Sequence, residues 1–377
     1  MKIINGLVFR EKEGFVEDTL YVENGRFSDH TTDDTVLDAE GSYIIPGLID
    51  VHFHGCVEHD FCDASAEGLR AMAKYEASCG VTSICPASMT LSPDMLKDIC
   101  ANACSYAEEP ESEDHARLVG INLEGPFICY AKRGAQNPDY IIPADTSTLR
   151  MLQEASGGRV RLITLAPETE GAMDFIREVK SSDLKDISIS LGHTESDYDT
   201  ASAAFQAGAD HVTHLFNAMP PFTHRAPGVI GAAHDADNCY VEIICDGIHI
   251  HPSMIRSAFS MFGDDRIVLI SDSMRAAGVS DGMYTLGGQD VIVKGSLATL
   301  ADGTIAGSVT NLADCMRTAV SMGIPLESAV KCATINPARS IGIDKDFGSL
   351  EIGRAADFIL LNKDLTFKSV HKACLTK

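Results

Sequence analysis

Eight short apolar segments, each followed by helix-forming sequence, recur in order through the middle of this chain and constrain its fold more than any other feature. They are GLIDVHFH, GVTSICPA, LVGINLEG, VRLITLAPE, DISISLGHT, HVTHLFN, YVEIICDGIH and RIVLISDS. Their near-continuous Val, Ile and Leu content is that of parallel strands covered on both faces. Intervening stretches such as SAEGLRAMAKYEASCG and SDYDTASAAFQAGA carry helix formers, with glycine where a helix should stop. An ordered run of strand–helix units predicts an α/β fold, a (β/α)8 TIM-like barrel. The unit around residues 226–234 has the weakest pattern, and irregular structure is expected there.

The flanks read differently. KIINGLVF and TLYVENGRFS alternate as strands do, with Asn24-Gly25 as a hairpin turn. Near the other end, GSLEIGRAADFILLN reads as two short strands joined by a glycine-containing turn. The expectation is a small β-sandwich domain built from both termini, residues 1–46 and 347–377, beside a barrel hydrolase domain of residues 47–346. A chain of 377 residues is long enough to bury both cores, and no linker or low-complexity stretch interrupts it.

Composition narrows the partners. No segment supplies the long uncharged apolar run of a membrane span. The opening MKIINGLVFREKEG becomes charged too soon for a signal peptide, so a cytoplasmic address is expected. The net charge of −24 argues against nucleic acid and against anionic membranes as partners. An acidic chain can still bind a phosphorylated metabolite, provided that it builds a local cationic pocket. The twelve cysteines sit in apolar runs such as SICPA, EIICDG and VKCAT, without a CxxC pair, and read as small buried hydrophobes.

The strands matter for where they end, because a barrel gathers its chemistry at the C-terminal ends of its strands. At or just past those ends stand His52, His54, Glu124, His193, His214, His249 and Asp272. His52 and His54 are two apart on a strand and share a side; in a barrel interior each ring needs a partner, for which a metal is suited. A chance pair near a strand end is the alternative for these two alone. Glu124 follows four mainly apolar residues, and a carboxylate there must bind a cation or pair with Lys132 or Arg133. His211 and His214 are three apart and should face opposite sides, so His214 enters the site and His211 packs against a helix. His224, His234 and His251 fall in loops or at helix starts and read as peripheral. Asp272 ends an apolar strand, where it can take a proton from a water that a metal activates and pass it to a leaving nitrogen. Its alternative is a cap on the following loop. No Walker loop, dinucleotide fingerprint or GxSxG elbow competes.

The set GLIDVHFHG, LEGPF, GHT, HLFNAMPPF, DGIH and SDSM, closed by GSLEIGRAADFILLN, resembles the amidohydrolase superfamily. Within it, LEGPF with KRGAQNP, HLFNAM and RAPG resemble the N-acetylglucosamine-6-phosphate deacetylases, almost end to end. That resemblance implies hydrolysis of the acetamide of a phosphorylated amino sugar to D-glucosamine 6-phosphate and acetate, in amino-sugar catabolism or cell-wall sugar recycling. Carried over by motif, it implies that Glu124, His193 and His214 hold a principal divalent metal and that His52 and His54 complete a second position. One or two ions would then bind, Zn²⁺ or Fe²⁺ suiting such ligands. Glu124 takes the bridging role that a carboxylated lysine has in many relatives.

The same resemblance makes Asp272 the catalytic acid/base. It makes His249, Arg225 and the Asn217-Ala218 backbone contacts to the sugar phosphate, and Ala306 a sugar contact. Arg225 would supply the cation that an acidic chain needs, gripping phosphate through two hydrogen bonds. In such enzymes this arginine reaches across a dimer interface, which implies a homodimer. Many relatives carry His where this chain has Gln136. Gln can donate a hydrogen bond but cannot become cationic, so the metals are expected to polarise the carbonyl while Gln136 orients the sugar. Rival readings are an N-acetylgalactosamine-6-phosphate deacetylase, a cyclic-amide hydrolase or deaminase, and a non-catalytic barrel scaffold. Arg225 and LEGPF disfavour the second, and the full ligand set disfavours the last.

Overall fold

The computed structural model describes residues 1–375. Each of the eight apolar segments contains a strand: Leu48–Asp50, Val81–Ile84, Ile121–Phe127, Val160–Leu165, Ser188–Leu191, His211–Val212, Tyr240–Ile244 and Ile267–Ile270. The first pairs in parallel with the second, and the third to the eighth form an unbroken parallel series. Ala87–Ser88 and Arg117–Leu118 join the second strand to the third in the same direction. At the opposite edge the Asp272 amide donates to the His52 carbonyl at 2.9 Å, and the His54 amide donates to the Ser273 carbonyl at 2.7 Å. The sheet therefore curls until its last strand meets its first, as in a TIM-like barrel.

Alternate residues of these strands enter different cores, which is why the segments read as uniformly apolar. Ile163, Ile189, Val241, Ile243, Ile267 and Leu269 pack beneath the helices. Leu162, Ile244, Val268 and Ile270 belong to a second cluster closed off by Ile341 and Ile343. The helices start and stop where the sequence says. Asp197 caps Tyr198–Ala207 by accepting from the Thr200 amide at 2.9 Å. Gly208 ends that helix at φ 119°, a left-handed conformation that costs glycine little.

Both termini contribute to one seven-stranded sheet. Lys2–Arg10, Gly14–Glu23 and Arg26–Ser28 run antiparallel, and Tyr43–Pro46 joins Lys2–Arg10 to Phe358–Leu361 from the far end of the chain. Asn24 and Gly25 both have positive φ, 52° and 74°, as a tight two-residue hairpin requires. Thr376 and Lys377, the end of the expected terminal domain, lie outside the described residues.

Three local expectations give way. GSLEIGRAADFILLN holds one strand, Phe358–Leu361, and its partner Phe367–His371 lies beyond it. Gly348 and Gly353, at φ 86° and 89°, turn the preceding segment back on itself, and the Gly353 amide donates to the Phe27 carbonyl. Residues 226–234 are not irregular: Gly228–Asp235 is a helix. It is buried nearly all round, so it lacks the one-sided pattern by which a surface helix is read. After the eighth strand comes an unexpected antiparallel sheet, Gly282–Leu286, Gln289–Lys294 and Leu297–Thr299. Among the described residues no helix is long and apolar enough to cross a membrane.

Candidate metal centre

Five of the residues singled out from strand ends meet around one carboxylate. Glu124 Oε1 lies 2.9 Å from His214 Nε2, 3.1 Å from His193 Nε2 and 3.5 Å from His52 Nε2. Its Oε2 lies 3.4 Å from His54 Nε2, and Asp272 Oδ1 approaches the same ring at 3.3 Å. All six residues are buried. The last turns of the strands aim them: His193, His214 and Asp272 have φ of 47°, 28° and 49°. For residues other than glycine such left-handed backbone costs about 1–3 kcal/mol each, strain typical of sites where side-chain direction matters.

The other ring nitrogens of His52, His54 and His193 are tied down, and this decides what the site can hold. His54 Nδ1 donates to the Ala87 carbonyl at 3.1 Å, and His193 Nδ1 donates to the Lys132 carbonyl at 2.8 Å. His52 Nδ1 lies 2.9 Å from Glu242 Oε2. With the protons of these three rings on Nδ1, their Nε2 lone pairs point at carboxylate oxygens, acceptor facing acceptor. Among the described residues His52 Nε2 has no hydrogen-bond partner, and the Nε2 atoms of His193 and His214 are 3.1 Å apart. Lone pairs and carboxylates that converge without protons between them fit a divalent cation. Two overlapping sets result, His52–His54–Glu124 and Glu124–His193–His214, with the ligand atoms of each within 4.8 Å of one another.

The electrostatics show that the cluster calls for positive charge, which protons on the rings or a cation between them would supply. Burial opposes charge on the His52 imidazole, but the Glu242 and Glu124 carboxylates raise its pKa well above the ordinary value. Burial would raise Glu124, yet His193 and His52 hold its carboxyl well below the usual range. Burial likewise works against ionisation of Asp272, but the His54 ring 3.3 Å away and the nearby imidazoles keep its pKa below normal. Asp272 is therefore ionised at neutral pH, the state that a base needs.

A cavity of about 520 Å³ opens over this cluster. Gln136, Asn217, Ala218 and His249 line it with His54, Glu124, His193, His214 and Asp272, and the unexpected antiparallel sheet adds Leu286 to its wall. His249 is held by Asp246, Nδ1 to Oδ2 at 2.7 Å; burial lowers its pKa but Asp246 raises it, leaving a protonatable ring on the wall. Gln136 is committed at both ends of its amide. Its Oε1 accepts from the Thr90 amide at 2.6 Å, and its Nε2 donates to Glu124 Oε2. It orients the shared carboxylate directly. Ala306 is buried between the wall residues Ile305 and Gly307. Arg225 is exposed on the loop after the sixth strand, away from the cavity of its own chain.

Other expectations change. Neither Lys132 nor Arg133 pairs with Glu124 among the described residues; both line the cavity, and the Arg133 guanidinium lies over the Tyr130 ring. His211 faces the Glu242 side chain instead of being turned away from the site. It is buried with Nδ1 3.2 Å from Ser190 Oγ and 3.7 Å from Glu242 Oε1, below the site. The strand ends at Val212 and the backbone turns left-handed at His214, so strand alternation no longer separates the two rings. Glu242 and Asp50 were not anticipated. Asp50 accepts from the His52 amide at 3.1 Å and from Ser271 Oγ at 2.5 Å, tying the first strand to the eighth, and burial pushes its pKa up to about 7. The available signal was a lone carboxylate inside an apolar strand in each case, GLIDV and YVEII.

The sequence pattern of the amidohydrolase family matches residues 43–374. An N-acetylglucosamine-6-phosphate deacetylase of Bacillus subtilis (strain 168) is 38% identical over 325 residues, 86% of this chain and 81% of that protein. An N-acetylgalactosamine-6-phosphate deacetylase of Escherichia coli O157:H7 is 33% identical, over 89% of this chain and 88% of the other. Among solved structures, an aspartate-to-alanine variant of Mycobacterium smegmatis N-acetyl-D-glucosamine-6-phosphate deacetylase in complex with N-acetyl-D-glucosamine-6-phosphate superposes with a TM-score of 0.91. It is 30% identical, and the match covers 99% of this chain and 98% of that one.

Proposed function

The chain belongs to the amidohydrolase family, and from that premise we propose that it hydrolyses the acetamide of N-acetyl-D-glucosamine 6-phosphate to D-glucosamine 6-phosphate and acetate. The observation that carries this reading is Glu124, shared by four imidazoles beside Asp272 at the floor of a sugar-sized cavity. Glu124, His193 and His214 would hold one metal, and His52 and His54 with Glu124 a second; Zn²⁺ or Fe²⁺ suits these donors. A divalent metal there supplies the Lewis acidity that activates water and polarises the acetyl carbonyl.

The chain's own groups do the rest. Asp272, ionised and 3.3 Å from the His54 ring, accepts a proton from water as its oxygen bonds to the carbonyl carbon. It then returns that proton to the nitrogen as the C–N bond breaks, so one carboxylate serves as base and acid in turn. Gln136 keeps Glu124 in the orientation that faces all four rings. His249, held by Asp246, and the Asn217-Ala218 backbone are placed to bind the sugar phosphate.

Arg225 reads best as a group for a neighbouring subunit. It is exposed, and its side chain makes no hydrogen bond or ion pair among the described residues, which supports a homodimer in which it reaches the partner's phosphate. The terminal sheet reads as a separate β-sandwich domain, residues 1–46 and 347–377. Its core of Ile3, Val8, Leu20, Phe27, Ile44 and Phe358 is a cluster of its own. All twelve cysteines are unpaired, which suits the reducing cytoplasm.

Acetate release from a panel of N-acetyl sugars tests the substrate. N-acetyl-D-glucosamine 6-phosphate should be hydrolysed most efficiently. The unphosphorylated sugar should lose about 100-fold or more in kcat/KM, as two charge-assisted hydrogen bonds at about 1.5–3 kcal/mol each imply. Preference for the galacto epimer would reassign the substrate, and equal rates with and without phosphate would sink the phosphate reading.

A further inference from the structure

Glu242 lies on the seventh barrel strand, Tyr240–Ile244, and is fully buried. One of its oxygens, Oε2, accepts from His52 Nδ1 at 2.9 Å and from the His214 backbone amide at 3.0 Å. His52 belongs to one ligand set and His214 to the other. Glu124 joins the two sets on the cavity side, and Glu242 joins them from beneath. We propose that Glu242 is the positioning residue that fixes both sets at once and thereby sets how tightly the site holds metal. The inference rests on the metal-site reading above.

Two physical effects follow from the geometry. At His52 the carboxylate keeps the proton on Nδ1, which turns the Nε2 lone pair toward Glu124 and strengthens it as a donor. At His214 it grips the amide of a residue whose backbone is left-handed, φ 28°, and so holds the conformation that aims the ring. The second oxygen, Oε1, has no hydrogen-bond partner among the described residues and lies 3.7 Å from His211 Nδ1. A buried carboxylate with one oxygen unsatisfied contributes little as mere packing, whereas a charge set behind two opposed ligand sets has an evident use.

The test is a Zn²⁺ titration of chelator-stripped protein against a chromophoric competitor, comparing wild type with Glu242→Gln. Glu111→Gln, whose carboxylate pairs with Arg117 and with Lys372 near the other end of the chain, serves as a control for general loosening. Glu242→Gln should weaken Zn²⁺ binding by about 10–100-fold, the usual effect of losing such an outer partner. Saturating Zn²⁺ should then restore most of kcat with KM for the sugar within about twofold, while Glu111→Gln binds Zn²⁺ as wild type does. Should Glu242→Gln fail to fold, Glu242→Asp keeps the charge, draws it back by one methylene, and should also bind Zn²⁺ more weakly. Wild-type affinity in the variant that folds would overturn the proposal, as would an activity loss that Zn²⁺ cannot restore. Absence of Zn²⁺ binding by wild type itself would instead overturn the metal-site reading.

Discussion

Replacing Asp272 with asparagine is expected to lower kcat by about 10³-fold, within the roughly 10²–10⁴-fold that a positioned acid–base group contributes. The substitution is isosteric, so the contact to His54 and the shape of the cavity floor survive. What disappears is the ability to accept a proton from water and return it to the departing amine. KM and metal content should therefore stay close to wild type while turnover collapses. Steady-state acetate release with metal analysis of the same sample separates these quantities. Turnover within tenfold of wild type would remove Asp272 from the chemistry.

Glu124→Gln should be the other severe change, through a different route. Glu124 is the one residue common to both ligand sets, and its oxygens lie 2.9–3.5 Å from four ring nitrogens. An amide of the same shape offers one neutral acceptor and turns N–H donors toward rings that present lone pairs. The loss in metal affinity should exceed the roughly 10–100-fold typical of an outer partner, and acetate release should fall with it. Elemental analysis of the purified variant should find less than one metal per chain. Full occupancy with normal turnover would show that Glu124 is no ligand.

Much of the barrel could be read from sequence because its strands are covered on both faces, so most appear as near-continuous apolar runs with a polar residue at or just past the end. That same regularity located His52, His54, Glu124, His193, His214 and Asp272, since the topology alone carries strand ends to one mouth. The reading failed where backbone geometry departs from the regular strand. Spacing puts His211 and His214 on opposite sides, yet both lie near Glu242, because the strand stops at Val212 and His214 sits in left-handed backbone. Glu242 and Asp50 are not legible because a single carboxylate within an apolar strand gives no hint of its partner across the barrel. Gln136 lines the cavity, as a sugar contact would, but spacing gives no sign that its amide also engages Thr90 and Glu124, contacts between segments distant in sequence. The buried helix Gly228–Asp235 lacked the amphipathic period on which helix reading depends.

The most direct test of the whole account is removal and return of metal. Protein stripped with a chelator should release no acetate from N-acetyl-D-glucosamine 6-phosphate, and activity should return in step with divalent metal bound, saturating at one or two ions per chain. Undiminished acetate release from protein shown by elemental analysis to be metal-free would contradict it.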